Sequence, residues 1–198
     1  MSLSVRWGFD IDSVVGDLSA ILERVAWEEF GVRVSRSQFT DFHLENCLPF
    51  GPEFILQWIS AALEPRWTLQ MEPYPGAVEV LQEISRVQPL YFVTARPDRE
   101  TVSIWLREKL VAVPQETIRV QAVGIFESKL PALKEWGITH FVEDRLETCE
   151  ILAQSGIVPI VFEQPWNARA HPWRTVRGWD EILGLVRAAQ HGGMSWPG

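Results

Sequence analysis

An alternation limits what this chain can fold into. Short β-rich runs recur at residues 4–9 (SVRWGF), 89–94 (PLYFVT), 118–123 (IRVQAV), 140–143 (HFVE) and 158–163 (VPIVFE), and the stretches between them carry helical periodicity. Leu18, Ile21, Leu22, Val25, Ala26 and Phe30 recur at i, i+3, i+4, i+7, i+8 and i+12, and Ala77, Val80, Leu81 and Ile84 repeat the pattern. Strands alternating with amphipathic helices bury their apolar surfaces as a parallel sheet covered on both faces. The expected fold class is therefore α/β with a central parallel sheet. At 198 residues and 46% hydrophobic content, the chain has room for one such domain and a modest insertion.

One interval breaks the rhythm. From about Gly16 to Glu72 there is no convincing strand, only helix-like segments and aromatic loops such as FTDFHLENCLPFGPEF, and this is too long for a simple crossover. The expected organisation is a core over residues 1–15 and 73–190, a helical cap over 16–72, and a disordered tail over 191–198 (HGGMSWPG). EPYPGA (72–77) is the expected return hinge.

Open parallel sheets bind ligands where their strands finish, because loops and unsatisfied backbone N–H groups converge there. The first strand ends in Asp10 and Asp12, separated by one isoleucine. Carboxylates so close raise each other's pKa unless a cation intervenes, and hard oxygen ligands of this kind suit Mg²⁺. The second strand ends in VTARP, where Thr94 offers a hydroxyl, Ala95 and its neighbours offer backbone N–H groups, and Arg96 offers a fork of donors. Lys129 follows the third strand, and Glu143 and Asp144 follow the fourth. A metal-binding acidic set with a hydroxyl and a cation fits stabilisation of a phosphoryl group in transfer.

Other chemistries lack support. The formal charge of −8 argues against a nucleic-acid polymer or an anionic membrane as partner. Cys47 and Cys149 form neither a CxxC nor a metal-ligand spacing, which points to a reducing cytoplasm rather than a disulfide scaffold. No signal peptide and no run of about 18 apolar residues is evident. Neither cysteine begins a C-x₅-R signature, and no GxxxxGK[ST] loop is present.

With these residues in order, the sequence resembles the haloacid dehalogenase (HAD) superfamily of phosphohydrolases. DIDSV matches its DxDx(T/V) element, Thr94 in VTARP its second motif, Lys129 its third, and the acidic pair in VEDR its fourth. DIDSVVGD, PYPGAVEVL, FVEDR and FEQPWN further resemble the 5′(3′)-deoxyribonucleotidase branch, over most of residues 5–167. The resemblance implies a Rossmann-like core and a Mg²⁺-dependent phosphomonoesterase. It makes Asp10 the nucleophile that forms an aspartyl-phosphate, and Asp12 the acid and then base, with its backbone carbonyl on the metal. Asp144 would complete the protein's share of the metal shell, and Thr94 and Lys129 would bind phosphoryl oxygens; beside them, Ala95 and Arg96 are candidates for the same group from their place after the second strand. Asp12 sets the chain apart from the dehalogenase branch, since a halide leaves without a proton. VTARP departs from the Thr-Ser-Pro form common in the deoxyribonucleotidase branch, and Glu143 stands where that branch often has a second Asp.

Several residues keep two readings. Asp17 is a helix cap or a ligand contact. Arg96 alone is a surface salt bridge, or a phosphate or cap contact. Glu143 and Glu147 are further candidates to support the metal, though for Glu147 a solvated helix position serves equally. Arg169, Arg174 and Arg177 are expected in a solvated loop, and the four histidines in ordinary structural roles. Phe42, Phe50, Phe54 and Trp58 form either a stacking wall for a nucleobase or, by preference, cap packing. The expected substrate is a small phosphorylated molecule, a nucleotide first and a sugar phosphate second, with a phospho-acceptor or phosphate-binding module as the non-catalytic alternative. A homodimer is among the possible assemblies.

Overall fold

The computed structural model of the protein describes residues 5–124 and 127–190, so the tail at 191–198 lies outside the described residues. In chain order the elements are β1 (Trp7–Phe9), α1 (Leu18–Phe30), α2 (Pro52–Ala62), α3 (Pro65–Thr68), α4 (Ala77–Ser85), β2 (Leu90–Thr94) and α5 (Arg99–Lys109). They continue with β3 (Ile118–Ala122), α6 (Leu130–Glu135), β4 (His140–Glu143), α7 (Leu146–Gln154), β5 (Val158–Phe162), β6 (Arg174–Val176) and α8 (Trp179–Gln190). The strands form one parallel sheet in the order β3-β2-β1-β4-β5-β6.

The four inner strands, β1, β2, β4 and β5, read as apolar runs because both faces are covered. Successive side chains point to opposite faces. Phe9, Phe92, Val142 and Ile160 therefore join the larger core cluster, while Val93 and Phe141 join a second with Leu133, Ile138 and Leu152. The order runs outward from β1 in both directions, which places a crevice beyond the ends of β1 and β4, where loops diverge to the two sides. Asp10 and Asp144 sit at those two ends.

No strand occurs between β1 and α4 among the described residues, only α1–α3 and two short 3₁₀ turns, Arg36–Gln38 and Leu44–Asn46. Asp17 caps α1, accepting from Ala20 N–H at 3.1 Å, and Gly31 closes that helix in the left-handed region at φ 65°. The chains entering and leaving the insert run against each other: Asp17 N–H donates to Glu72 O and Tyr74 N–H to Val15 O, both at 2.8 Å. Gly16 leaves room for Met71 at this crossing: an added Cβ would lie 2.7 Å from Met71 Sδ, and the methionine side chain would have to shift.

Three buried tryptophans tie segments together through their indole N–H groups. Trp58 donates to Leu22 O at 2.9 Å, Trp105 to Met71 O at 2.7 Å and Trp179 to Val14 O at 3.0 Å. Arg169 and Arg177 lie outside helices and strands as expected, but Arg174 requires a correction, since Arg174–Val176 is a strand at the sheet edge rather than loop. No helix among the described residues is long and apolar enough to cross a membrane.

Trp179→Phe keeps most of the buried ring but leaves the Val14 carbonyl unpaired, so urea unfolding should show a loss of about 1–3 kcal/mol. Trp179→Ala also opens a cavity and should cost about 3–5 kcal/mol.

Candidate active site

The loop after β1 is wound tightly enough to aim its side chains over the strand ends. Asp10 N–H extends the ladder to Val142 O at 3.0 Å, and the N–H groups of Val15 and Gly16 both donate to Ile11 O, at 3.0 and 2.8 Å. Ser13 adopts φ 60°, the one positive value at a non-glycine among the described residues. The turn is held from outside by Gln164, whose side-chain amide donates to Ser13 O at 2.7 Å and Tyr74 Oη at 3.0 Å.

This loop brings Asp10 to Lys129, just before α6, and to the end of β4. Lys129 Nζ lies 2.7 Å from Asp10 Oδ2 and 2.8 Å from Glu143 Oε2. Glu143 Oε1 accepts from the N–H groups of Asp144 and Arg145, both at 3.1 Å. Asp144 Oδ2 accepts from Trp166 Nε1 at 2.9 Å, and Asn167 ties the Asp144 and Phe162 carbonyls, each at 2.8 Å. All four charged groups are buried.

One lysine cannot balance three buried carboxylates. Burial pushes Asp10 well above the ordinary carboxylate range; Lys129 opposes the shift, while Glu143 and Asp12 add to it. Burial likewise lifts Asp144, with Glu143 and Asp10 adding to the rise. Burial also works against ionisation of Glu143, but the Lys129 charge and hydrogen bonds outweigh it and hold that group low. Lys129 is buried too, yet Asp10 and Glu143 drive its pKa up. Oxygens of Asp10, Glu143 and Asp144 lie within 4.8 Å of one another. A hard divalent cation fits this donor set and its unmet negative charge.

The other expected residues gather at the same place in different ways. Thr94 is fully buried at the end of β2, and its hydroxyl oxygen accepts from Arg96 N–H at 3.1 Å. Ala95 lines the cavity. The Asp12 carboxylate turns away from the acidic cluster to Arg96, whose guanidinium is buried and whose Nη2 lies 2.7 Å from Asp12 Oδ1. Glu147 pairs with Arg169 at 2.7 Å on the exposed side of the cleft.

Above these groups lies a cavity of about 480 Å³. Its floor carries Asp10, Asp12, Lys129 and Asp144, and a wall from the insert carries Leu18, Leu22, Phe39, Leu44, Ile59 and Leu63. Of the four expected aromatic residues only Phe42 lines it, with Arg145 4.5 Å over its ring. Phe50, Phe54 and Trp58 pack within the insert, Phe54 lying 5.0 Å from Phe50 and 5.2 Å from Phe30 between ring centroids. Phe39, which sequence reasoning missed, packs on Trp58 and lines the cavity. Gln164, Trp166 and Asn167 were also missed as site residues; the quoted FEQPWN stretch was the available signal.

The family model described as "5' nucleotidase, deoxy (Pyrimidine), cytosolic type C protein" matches residues 4–191. No curated protein matches the sequence significantly. Among solved structures, a haloacid dehalogenase-like family hydrolase from Streptococcus pneumoniae superposes with TM-score 0.66 at 15% identity, covering 94% of this chain and 100% of the other. A predicted phosphatase from Clostridium acetobutylicum gives 0.65 at 13% identity, covering 94% and 99%. A HAD-superfamily hydrolase from Geobacter sulfurreducens gives 0.58 at 18% identity, covering 93% and 98%. At these identities the likeness speaks for the fold.

Because burial raises Asp10 and Asp144 in the folded state, their contribution favours folding at low pH and is lost as pH rises through the raised values. Mg²⁺ at about 100 times its Kd should raise Tm by roughly 5–10 °C near pH 7 and by less near pH 4.5. Asp144→Asn should raise the metal-free Tm and abolish most of the magnesium-dependent increase, both readable by calorimetry.

Proposed function

The chain belongs to the 5′ nucleotidase, deoxy (pyrimidine), cytosolic type C family, hydrolases of the HAD fold, and we propose that it cleaves nucleoside monophosphates through a phosphoenzyme on Asp10 with Mg²⁺. The observation that carries this reading is the buried contact of Asp10 with Lys129 at 2.7 Å, on the cavity floor beside Glu143 and Asp144.

In the proposed reaction an oxygen of Asp10 attacks phosphorus, the bond to the leaving oxygen breaks, and Asp12 gives that oxygen a proton. Asp12 then takes a proton from the water that attacks the aspartyl-phosphate, which releases inorganic phosphate and restores Asp10. Splitting one displacement into two lowers each barrier, and acid–base help of this kind contributes about 10²- to 10⁴-fold. Lys129 orients Asp10 and opposes the rise that burial imposes on it, while the backbone N–H of Ala95, at the cavity wall, would meet a phosphoryl oxygen and Thr94, buried behind it at the end of β2, would fix that turn. Asp10 and Asp144, with Glu143 beside them and the Asp12 carbonyl, would hold Mg²⁺. When bound, the ion offsets charge on the phosphoryl oxygens and on the carboxylates.

Residues 16–72 act in this scheme as a cap that encloses the leaving group and excludes water. Its wall favours a nucleoside over a sugar phosphate. Sugar hydroxyls facing Leu22, Leu44 and Ile59 would lose water without gaining partners, whereas the faces of a base would not. The net charge of −8 and two unpaired cysteines fit a small-molecule substrate in a reducing cytoplasm.

Phosphate release should be measured with Mg²⁺ on deoxyribonucleoside 5′- and 3′-monophosphates and on sugar phosphates. Nucleotides should be turned over best, and Asp10→Asn should reduce the rate by roughly 10⁴-fold or more. Activity should fall on the acid side as the raised Asp10 and Asp144 take up protons, and higher Mg²⁺ should move that limb to lower pH. Equal turnover of nucleotides and generic esters would remove the substrate assignment, and full activity of Asp10→Asn would remove the mechanism.

A further inference from the structure

Arg96 stands where its side chain could have faced the phosphoryl site, but its donors are directed elsewhere. Nε donates to Asp12 Oδ1 at 2.9 Å and Oδ2 at 3.0 Å, and Nη2 donates to Oδ1 at 2.7 Å. Both carboxylate oxygens are thus gripped from one side by a rigid planar fork. Nη1 donates to the Thr68 hydroxyl, and Nη2 lies 3.7 Å from Met71 Sδ. Thr68 ends α3, and Met71 packs over Gly16 where the chain leaves the insert. The Thr68 hydroxyl in turn donates to Glu64 O at 3.0 Å, and Arg96 N–H is anchored on Thr94 Oγ1 at 3.1 Å. The guanidinium is 2% exposed, so water cannot replace these partners freely.

We infer that Arg96 is a positioning residue for Asp12: it fixes the orientation of the carboxylate that moves protons, and it ties that orientation to the last turn of the insert through Thr68. The inference rests on the proposed phosphatase chemistry and goes beyond it in assigning Arg96 to Asp12 rather than to the phosphoryl group. Rotation of a carboxylate by one rotamer moves its oxygens by more than a hydrogen-bond length. Unrestrained, Asp12 would therefore spend little time aligned with the leaving oxygen. A lysine in place of Arg96 would supply charge but not the planar fork. Thr68 supports the fork from the far side without touching Asp12, so it offers an independent route to the same defect.

The test compares Arg96→Lys, Arg96→Gln and Thr68→Val on two esters, an alkyl monophosphate and p-nitrophenyl phosphate, whose phenolate departs without a proton. For Arg96→Gln, kcat/KM on the alkyl ester should fall about 10²-fold, with less than about tenfold on the aryl ester. Arg96→Lys should share the defect, and Thr68→Val should show the same selectivity at smaller amplitude. Inhibition by inorganic phosphate should be unchanged in all three. Equal losses on both esters overturn the assignment, because a general structural role would not distinguish leaving groups. Weakened phosphate inhibition also overturns it, marking Arg96 as a phosphoryl ligand. A crystal structure of Arg96→Gln reads the positional claim without any assay: a displaced Asp12 carboxylate supports it, and an unmoved one refutes it. Absence of phosphatase activity in the unaltered protein would instead count against the proposed function.

Discussion

Three carboxylates share a dry space at the ends of β1 and β4 with a single lysine, and much of the surrounding structure holds that imbalance in place. Lys129 spans Asp10 and Glu143, the N–H groups after β4 turn back onto Glu143, and Trp166 and Asn167 brace Asp144. Such an arrangement costs folding energy, because each ionised group has lost water and faces like charge. The sheet tolerates it through rigidity. Asp10 and Asp144 both directly follow strands covered on two faces, so neither can swing away to relieve the repulsion.

Much of this was legible in the order of residues. Strand runs at 89–94, 118–123, 140–143 and 158–163 contain the observed strands; the first and the last two are apolar enough to be buried on both faces, and the edge run 118–123 is legible from its β-branched residues instead. The acidic, hydroxyl and cationic residues that end those runs converge because parallel strands put their C-terminal ends on one side. The short strand Arg174–Val176 was hidden for the complementary reason. It is three residues long, lies at the sheet edge and exposes Arg174, so its composition reads as loop.

Side-chain direction was the harder part. Asp10 and Asp12 are equivalent in sequence, yet one enters the acidic cluster and the other meets Arg96, a choice made by the turn through Ser13 and Gly16 rather than by residue type. Aromatic residues of the insert posed the same problem. Phe54 and Trp58 lie on one helix and pack inward, whereas Phe39 and Phe42 lie outside the regular helices and reach the cavity. Periodicity predicts faces for helices and is silent about loops. Trp166, which holds the Asp144 carboxylate, and Asn167, which holds its backbone carbonyl, sit about twenty residues away, a relation that the packing of β4 beside β5 creates.

The cavity draws its floor from strand ends and its wall from the segment between β1 and α4. These two surfaces answer to different demands. A change at Leu44 or Ile59 touches neither the strand pairings nor the carboxylates, while a change at Asp10 or Glu143 alters the charge at the strand ends. The breadth of the space above the floor is therefore set mainly by one continuous stretch of chain, and replacing bulky side chains there widens or narrows it without redrawing the sheet.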